Sequence, residues 1–328
     1  MAGKYGSSSF SVWLVGGYNL LAAKVQAFSY ELGIDVKRSD GLGDSWNEFS
    51  PTGMRVAQIG QEGAFFDDST ANIHDAMSSP TANAVARVAC FAAGGNAVGQ
   101  PFVGLYGVVT TGYSVIAKLG DLTLADAKYE VTGQADEGVI LQPHAQKSAD
   151  WNTDTDGTGS VDYVNDPSQR VVPITSNSQA NPTVVTCPVA HGLTTGDKIF
   201  VSGSNSTPSI NGEQTVTVTG TLTFTLAVNV TVAGNAGTFV RSNSSSGGAA
   251  YLQVSEFTGL TGFVGKVQHS HDDITYADLA TFANVTSAPA YERVAVAGTV
   301  RRHLAFDGNV TGTGTITSFC GFSRYDPS

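Results

Sequence analysis

The stretch PVAHGLTTGDKIFVSGSNSTPSINGEQTVTVTGTLTFTLAVNVTVAGNAGTFV, residues 188–240, decides how the rest of the chain is read. Its apolar runs are short, and Gly, Asn, Asp and Ser mark the turns between them. Val216 and Val218 alternate with Thr215, Thr217 and Thr219. Leu222, Phe224, Leu226 and Val228 alternate with Thr221, Thr223 and Thr225. A period of two puts one face of each strand on a core and the other in water. Asp197 and Glu213 are offset by Lys198 and, just beyond, Arg241, so the stretch is nearly neutral within an acidic chain. Polar segments flank it: KSADWNTDTDGTGSVDYVNDPSQRV over 147–171 and NSSSGGAA over 243–250, both read as linkers. The expected organisation is a larger domain in two parts, 1–171 and 244–328, interrupted by a small all-β domain at 172–243. Such a layout fits a structural protein that displays a decoration better than it fits an enzyme.

Bulk properties narrow the function classes. The chain has 328 residues, with 38 Gly and 14% charged residues, and Thr, Ser, Val and Gly are abundant, as in sheets joined by tight turns. Its formal net charge of -11 opposes tight binding to nucleic-acid phosphates and favours solubility. Cys90, Cys187 and Cys320 fit no disulfide framework and no zinc motif, so they are expected to be reduced and buried. No run of eighteen apolar residues predicts a membrane span. The start, MAGKYGSSSFSVWLVGG, is too polar for a signal peptide, so the chain is expected to be made in a cytoplasm.

Outside the module the pattern is also mainly β. Residues 8–38 predict two or three strands, with a helix competing over KVQAFSYELGIDV. DGLGDSWNEFSPTGMR, residues 40–55, predicts a long loop, and its Trp46 and Phe49 either fold back on the core or touch another molecule. FDDSTANIHDAMSS, residues 66–79, predicts one helix, capped by Asp68 or Ser69 and ended by Pro80. Strands follow from Val85 to Leu141, with the apolar pairs Val108–Val109 and Val115–Ile116 predicting burial on both faces. An antiparallel series resumes at Ala250 and is expected to join the N-terminal strands in one sandwich or barrel.

Several clusters invite a chemical reading. Asn152, Asp154, Asp156 and Gly157 resemble the start of a calcium loop, but the twelfth position is Tyr163 rather than Glu. His269 and His271 share one side of a strand, with Asp272 and Asp273 beside them, yet no third metal ligand stands at a useful spacing. The carboxylate pairs Asp67–Asp68, Asp272–Asp273 and Asp44 with Glu48 occupy turn or cap positions where Asp serves the backbone. No nucleophile elbow, zinc-protease helix, phosphate loop or dinucleotide fingerprint occurs in the sequence. Arg301-Arg302-His303 fits a contact with a subunit or carboxylate better than a phosphate site. No catalytic residue, cofactor or metal is expected.

Two regions resemble the major tail tube proteins of long-tailed, non-contractile bacteriophages. The first is DGLGDSWNEFSPTGMRVAQIGQEGAFFDD, residues 40–68. The second is GGAAYLQVSEFTGLTGFVGKVQHSHDDITYADLATF, residues 247–282, continued by ERVAVAGTVRRHLAF, residues 292–306. With HGLTTGDKIFVSG and INGEQTVTV as hallmarks, the 172–243 segment resembles small β modules of phage tail proteins. The module's weak likeness to a β domain of ubiquitin-activating enzymes gives Cys187 no role. The resemblance implies a two-sheet sandwich with one flanking helix, assembled as hexameric rings whose inner sheets join into one barrel. Rings would stack through long loops, here through Asp44, Trp46 and Phe49. An acidic lumen would let DNA slide through, with other tail proteins at the tube ends and a possible host-surface contact by the module. The implied place is the tail of a virion assembled in a bacterial cytoplasm. Two other classes compete. One is a carbohydrate-binding tail fibre or capsid decoration protein, with Trp46, Trp151 and Tyr163 as sugar platforms. The other is a β-sandwich hydrolase.

Overall fold

The computed structural model describes residues 9–23, 25–38, 49–65, 86–117, 119, 123–153, 160–162, 171–241, 245–270 and 273–325. Among these the chain is almost entirely β, and Leu20–Ala23 form a 3-10 turn. The predicted helix at 66–79 lies outside the described residues.

Residues up to 162 form β1 (Val12–Val15), β2 (Tyr18–Asn19), β3 (Ala27–Arg38), β4 (Phe49–Phe65), β5 (Arg87–Ala92), β6 (Pro101–Ile116), β7 (Leu124–Val131), β8 (Ala135–Lys147), β9 (Trp151–Asn152) and β10 (Val161–Asp162). Seven strands follow between 172 and 241: β11 (Val172–Pro173), β12 (Ser176–Asn177), β13 (Thr183–Thr186), β14 (Lys198–Ser202), β15 (Gly212–Val218), β16 (Thr223–Leu226) and β17 (Thr238–Arg241). The last four are β18 (Ser245–Ser270), β19 (Ala277–Thr281), β20 (Ala290–Val300) and β21 (His303–Arg324). They divide into a fourteen-stranded and a seven-stranded sheet.

The larger sheet forks. β7 and β8 run in line, both antiparallel to β6, and are separated by a kink at 132–134. From β7 one branch continues through β4 to β3; from β8 the other continues through β21 and β18 to β20. On the far side of β6 lie β5, β1 and β2. The first branch curls over β5 and β1. Trp13, Phe91, Ile59, Ala127 and Tyr129 fill the space between, and Phe28 lies 4.9 Å from Trp13, edge on. Opposite-facing Val12, Leu14, Val88 and Cys90 pack against Phe102 of β6 and against Tyr251 and Phe319 of the second branch. β1 and β5 are therefore buried on both faces, which explains their unbroken apolar runs. A third core, with Leu252, Phe263, Phe306, Phe322 and Trp151, lies on the other side of β18 and β21.

The turn from β1 to β2 docks on β18 through one buried side chain. Gln253 accepts a hydrogen bond from Gly17 N (2.7 Å) and donates one to Val88 O (2.9 Å). Gly17 has φ +84, and a Cβ there would come within 2.6 Å of the Ala290 nitrogen, so only glycine fits.

Strands β11–β17 pair only with one another among the described residues, in the order β11-β17-β14-β15-β16-β13-β12. Val185, Ile199, Val201, Val216, Phe224, Leu226 and Phe239 form their own core. Phe224 and Leu226 point inward as their alternation predicts, whereas Leu222 lies in a turn and is exposed.

Residues 27–38 are strand as expected and the competing helix is set aside, because Phe28 and Tyr30 recur at period two and pair with Gln61 and Ile59. Three expectations are corrected. Residues 49–55 belong to β4 instead of a loop, so the β3–β4 hairpin is longer than its Gly and Pro content implies. The second linker ends by Ser245, since 245–250 pair with β20 and, from Gly248, with β21 as well. Val115 and Ile116 are exposed, because β6 outruns the core there.

Candidate assembly surface

Strands β3, β4, β7 and the second half of β6 make a wall with two unlike faces. Phe28, Tyr30, Ile59, Ala57, Ala127 and Tyr129 point inward. Ser29, Glu31, Gln58, Lys128 and Glu130 point outward and are exposed, three polar or acidic groups lying side by side where Glu31 pairs with Gln58 and Gln58 with Glu130. The inward face does not stop where the core stops. Leu32 and Ile34 continue it along β3 at 53% and 57% exposure. Beside them the fork of the sheet opens a cavity of about 380 Å3, lined by Leu32, Val56, Ala57, Val131, Asp136 and Tyr325. Apolar side chains at this exposure on a continuous face are a liability unless a partner covers them.

A polar cluster forms the floor of the fork and ties β20 to β8. Arg293 donates to Asp136 Oδ2 (3.1 Å) and Tyr251 Oη (3.0 Å), and also to Gln134 and Tyr325. Tyr251 donates to the same Asp136 oxygen. Both charged side chains are 9% exposed, and the guanidinium also lies over the rings of Tyr106 and Tyr251. Burial, reinforced by the Asp136 carboxylate, holds the Tyr251 hydroxyl well above its ordinary pKa. It stays a donor, and the cluster is a structural clamp. No sequence pattern marks it; its members lie as far apart as Gln134 and Tyr325.

The edges of the larger sheet are unequal. Among the described residues, the strands with a single partner are β2, β9 and β10, of two residues each, β19 of five, β3 of twelve and β20 of eleven. The long open edges are thus β3 and β20, at the ends of the two branches.

Those residues singled out from sequence that are described are not gathered in one place. Asp44 and Trp46 lie outside the described residues, in the connection from β3 to β4. Phe49 opens β4, where its backbone pairs with Arg38. Trp151 is 4% exposed, stacks on Phe263 at 5.5 Å and donates to Gln142, so it offers no sugar platform; Tyr163 lies outside the described residues. Of the calcium-like string, Asn152 donates to Gln268, while Asp154, Asp156 and Gly157 lie outside the described residues. His269 Nδ1 accepts from Arg301 N, and burial together with the Arg301 and Arg324 charges lowers its pKa to about 4. His271, Asp272, Asp67, Asp68 and Glu48 lie outside the described residues. Asp273 accepts from Ser160 and Tyr276 and lies 3.4 Å from His303. Arg302 stacks on Phe200 of the smaller sheet at 5.5 Å. The three cysteines are reduced and buried, and burial pushes the Cys187 thiol up to about 11.

No family model matches the chain, and no curated protein matches it. Among solved structures, a chain from the virion of a native gene transfer agent particle aligns at 10% identity and TM-score 0.30, over 41% of this chain and 98% of that one. The SPP1 Dit protein, described as a paradigm of the hub adsorption apparatus in phages infecting Gram-positive hosts, aligns at 7% identity and TM-score 0.25, over 95% and 98%. Alignments this loose place neither the fold nor the function of this chain.

Proposed function

We propose that the chain is a non-enzymatic structural subunit of a phage tail tube, assembling into stacked, hexameric rings around a lumen that conducts DNA. The observation that carries this is the two-faced wall. One face is an exposed array of Ser29, Glu31, Gln58, Lys128 and Glu130, more acidic than basic. The other is apolar and runs past its own core to Leu32 and Ile34. A conduit for DNA needs a surface that gains nothing from phosphates, because each neutralised phosphate releases counterions and adds affinity. A subunit of such a conduit needs a second surface that is stable only against a neighbour. In this assignment the first face lines the lumen. The β3–β4 hairpin, with Asp44, Trp46 and Phe49 at its end, contacts the next ring. Residues 172–243 form an inserted module on the outside, free to meet the host surface.

Purified protein tests the proposal by sedimentation velocity across a concentration series. Discrete rings and then heavier polymers are expected as concentration rises, with no binding on a glycan array. A monomer at all concentrations, or saturable glycan binding without self-assembly, would overturn it.

A further inference from the structure

We propose that the seam between neighbouring copies is a strand pair: the free side of β3 in one copy hydrogen-bonds to the free side of β20 in the next. The proposal rests on the tube-subunit assignment and adds which strands make the ring. A sheet edge is a row of unpaired N–H and C=O groups, and a long flat one pairs with another chain unless it is blunted. The two long open edges here match in length, twelve residues in Ala27–Arg38 and eleven in Ala290–Val300. Neither contains proline.

The side chains along both edges permit close approach. Among the described side chains of β3, the exposed large apolar residues are Leu32 and Ile34, on either side of Gly33. Toward the end of β20 the exposed residues are Ala295, Ala297, Gly298 and Thr299, all small. The two charges of β20 are already engaged within the subunit. Glu292 accepts from Ala283 N (2.7 Å), and Arg293 is held in the Asp136 clamp. That clamp fixes β20 against β8 and so presents its edge as a rigid template. The two edges belong to opposite branches of the fork, so the contact uses two different patches. Such a heterologous contact repeats head to tail and closes into a ring when the rotation allows. A second copy is the occupant because this chain carries both halves of the joint at equal length.

Two variants test the seam. Leu32→Lys with Ile34→Lys blocks β3, and Ala295→Lys with Ala297→Lys blocks β20; all four positions are exposed, so each monomer keeps its fold, checked by circular dichroism. Wild-type protein is expected to assemble in sedimentation velocity, and each variant alone is expected to stay monomeric. An equimolar mixture is expected to give a dimer and nothing larger, because one intact β3 and one intact β20 remain. Should a lysine pair unfold its monomer, Glu at the same two positions takes its place with the same expected outcomes, because a charged side chain blunts an edge in the same way. Wild-type assembly with both variants still assembling overturns the seam and leaves the tube assignment standing. Loss of assembly in only one variant, or a mixture that stays monomeric, also overturns the seam, the first in favour of a self-pairing edge. A wild-type chain that never assembles overturns both.

Discussion

Replacing Arg293 by Met should cost the subunit about 3–5 kcal/mol, the range found when one partner of a buried ion pair is removed. The magnitude follows from what is left behind. Asp136 is 9% exposed, and without Arg293 its carboxylate retains the Tyr251 hydroxyl but loses its only cation among the described residues. The reverse change, Asp136→Asn, should cost less, about 1–3 kcal/mol, because Arg293 keeps Gln134 and Tyr325 as acceptors. The double variant should cost less than the two singles combined, since the groups share partners. Urea unfolding of the unassembled protein measures all three. Probes specific to the larger and smaller sheets are needed, because a chain with two separate sheets, each with core of its own, need not unfold in one step. An Arg293→Met loss below about 1 kcal/mol, the level of an exposed ion pair, would show that the clamp is solvated and does not brace β20.

Three further outcomes follow from other parts of the molecule. Glu31→Lys with Glu130→Lys changes the formal charge of -11 by two steps of +2, to -7, and places both new cations on the proposed lumen face. Duplex DNA, which the wild type should not retain in filter binding at low salt, should then bind with an affinity that falls as salt rises; no gain would place that face elsewhere. His269 has a folded pKa of about 4, below the roughly 6.5 of an unfolded imidazole. Its contribution is therefore complete above about pH 6.5 and is lost as pH falls toward 4, where the Nδ1 that accepts from Arg301 N must protonate. His269→Gln should flatten melting temperature against pH in that window, and an unchanged slope would remove His269 as the cause. Deleting residues 173–241 and joining the ends with a short Gly/Ser linker should leave oligomers of unchanged symmetry; aggregation would show that the module is not separable.

How much of this was legible in the sequence depended on whether local pattern or distant packing decided the outcome. The Thr–Val alternation of 215–219 and the Phe224–Leu226 pair are local, and both were read correctly because a half-buried strand writes its own period. The strand at 27–38 was ambiguous, since Ala, Leu and Glu suit a helix and only the partners Ile59 and Gln61 settle it. The exposure of Leu32, Ile34, Val115 and Ile116 was invisible, because alternation marks a face without saying where the core beneath it ends. Trp151 misled for the same reason: in a polar segment it reads as a platform, yet Phe263 and Phe306, more than a hundred residues away, enclose it. Gln253 and Asp136 carried no signal at all, since a single buried polar residue is defined by partners that sequence does not bring together.

The most direct test of the tube assignment is an electron micrograph of the concentrated, unmodified protein. Open tubes of constant diameter, built from stacked rings with a continuous central channel and small outward projections at 172–243, are the expected image. Dispersed single particles with no channel, at concentrations where sedimentation detects no polymer, would contradict the assignment of this chain as a tube subunit.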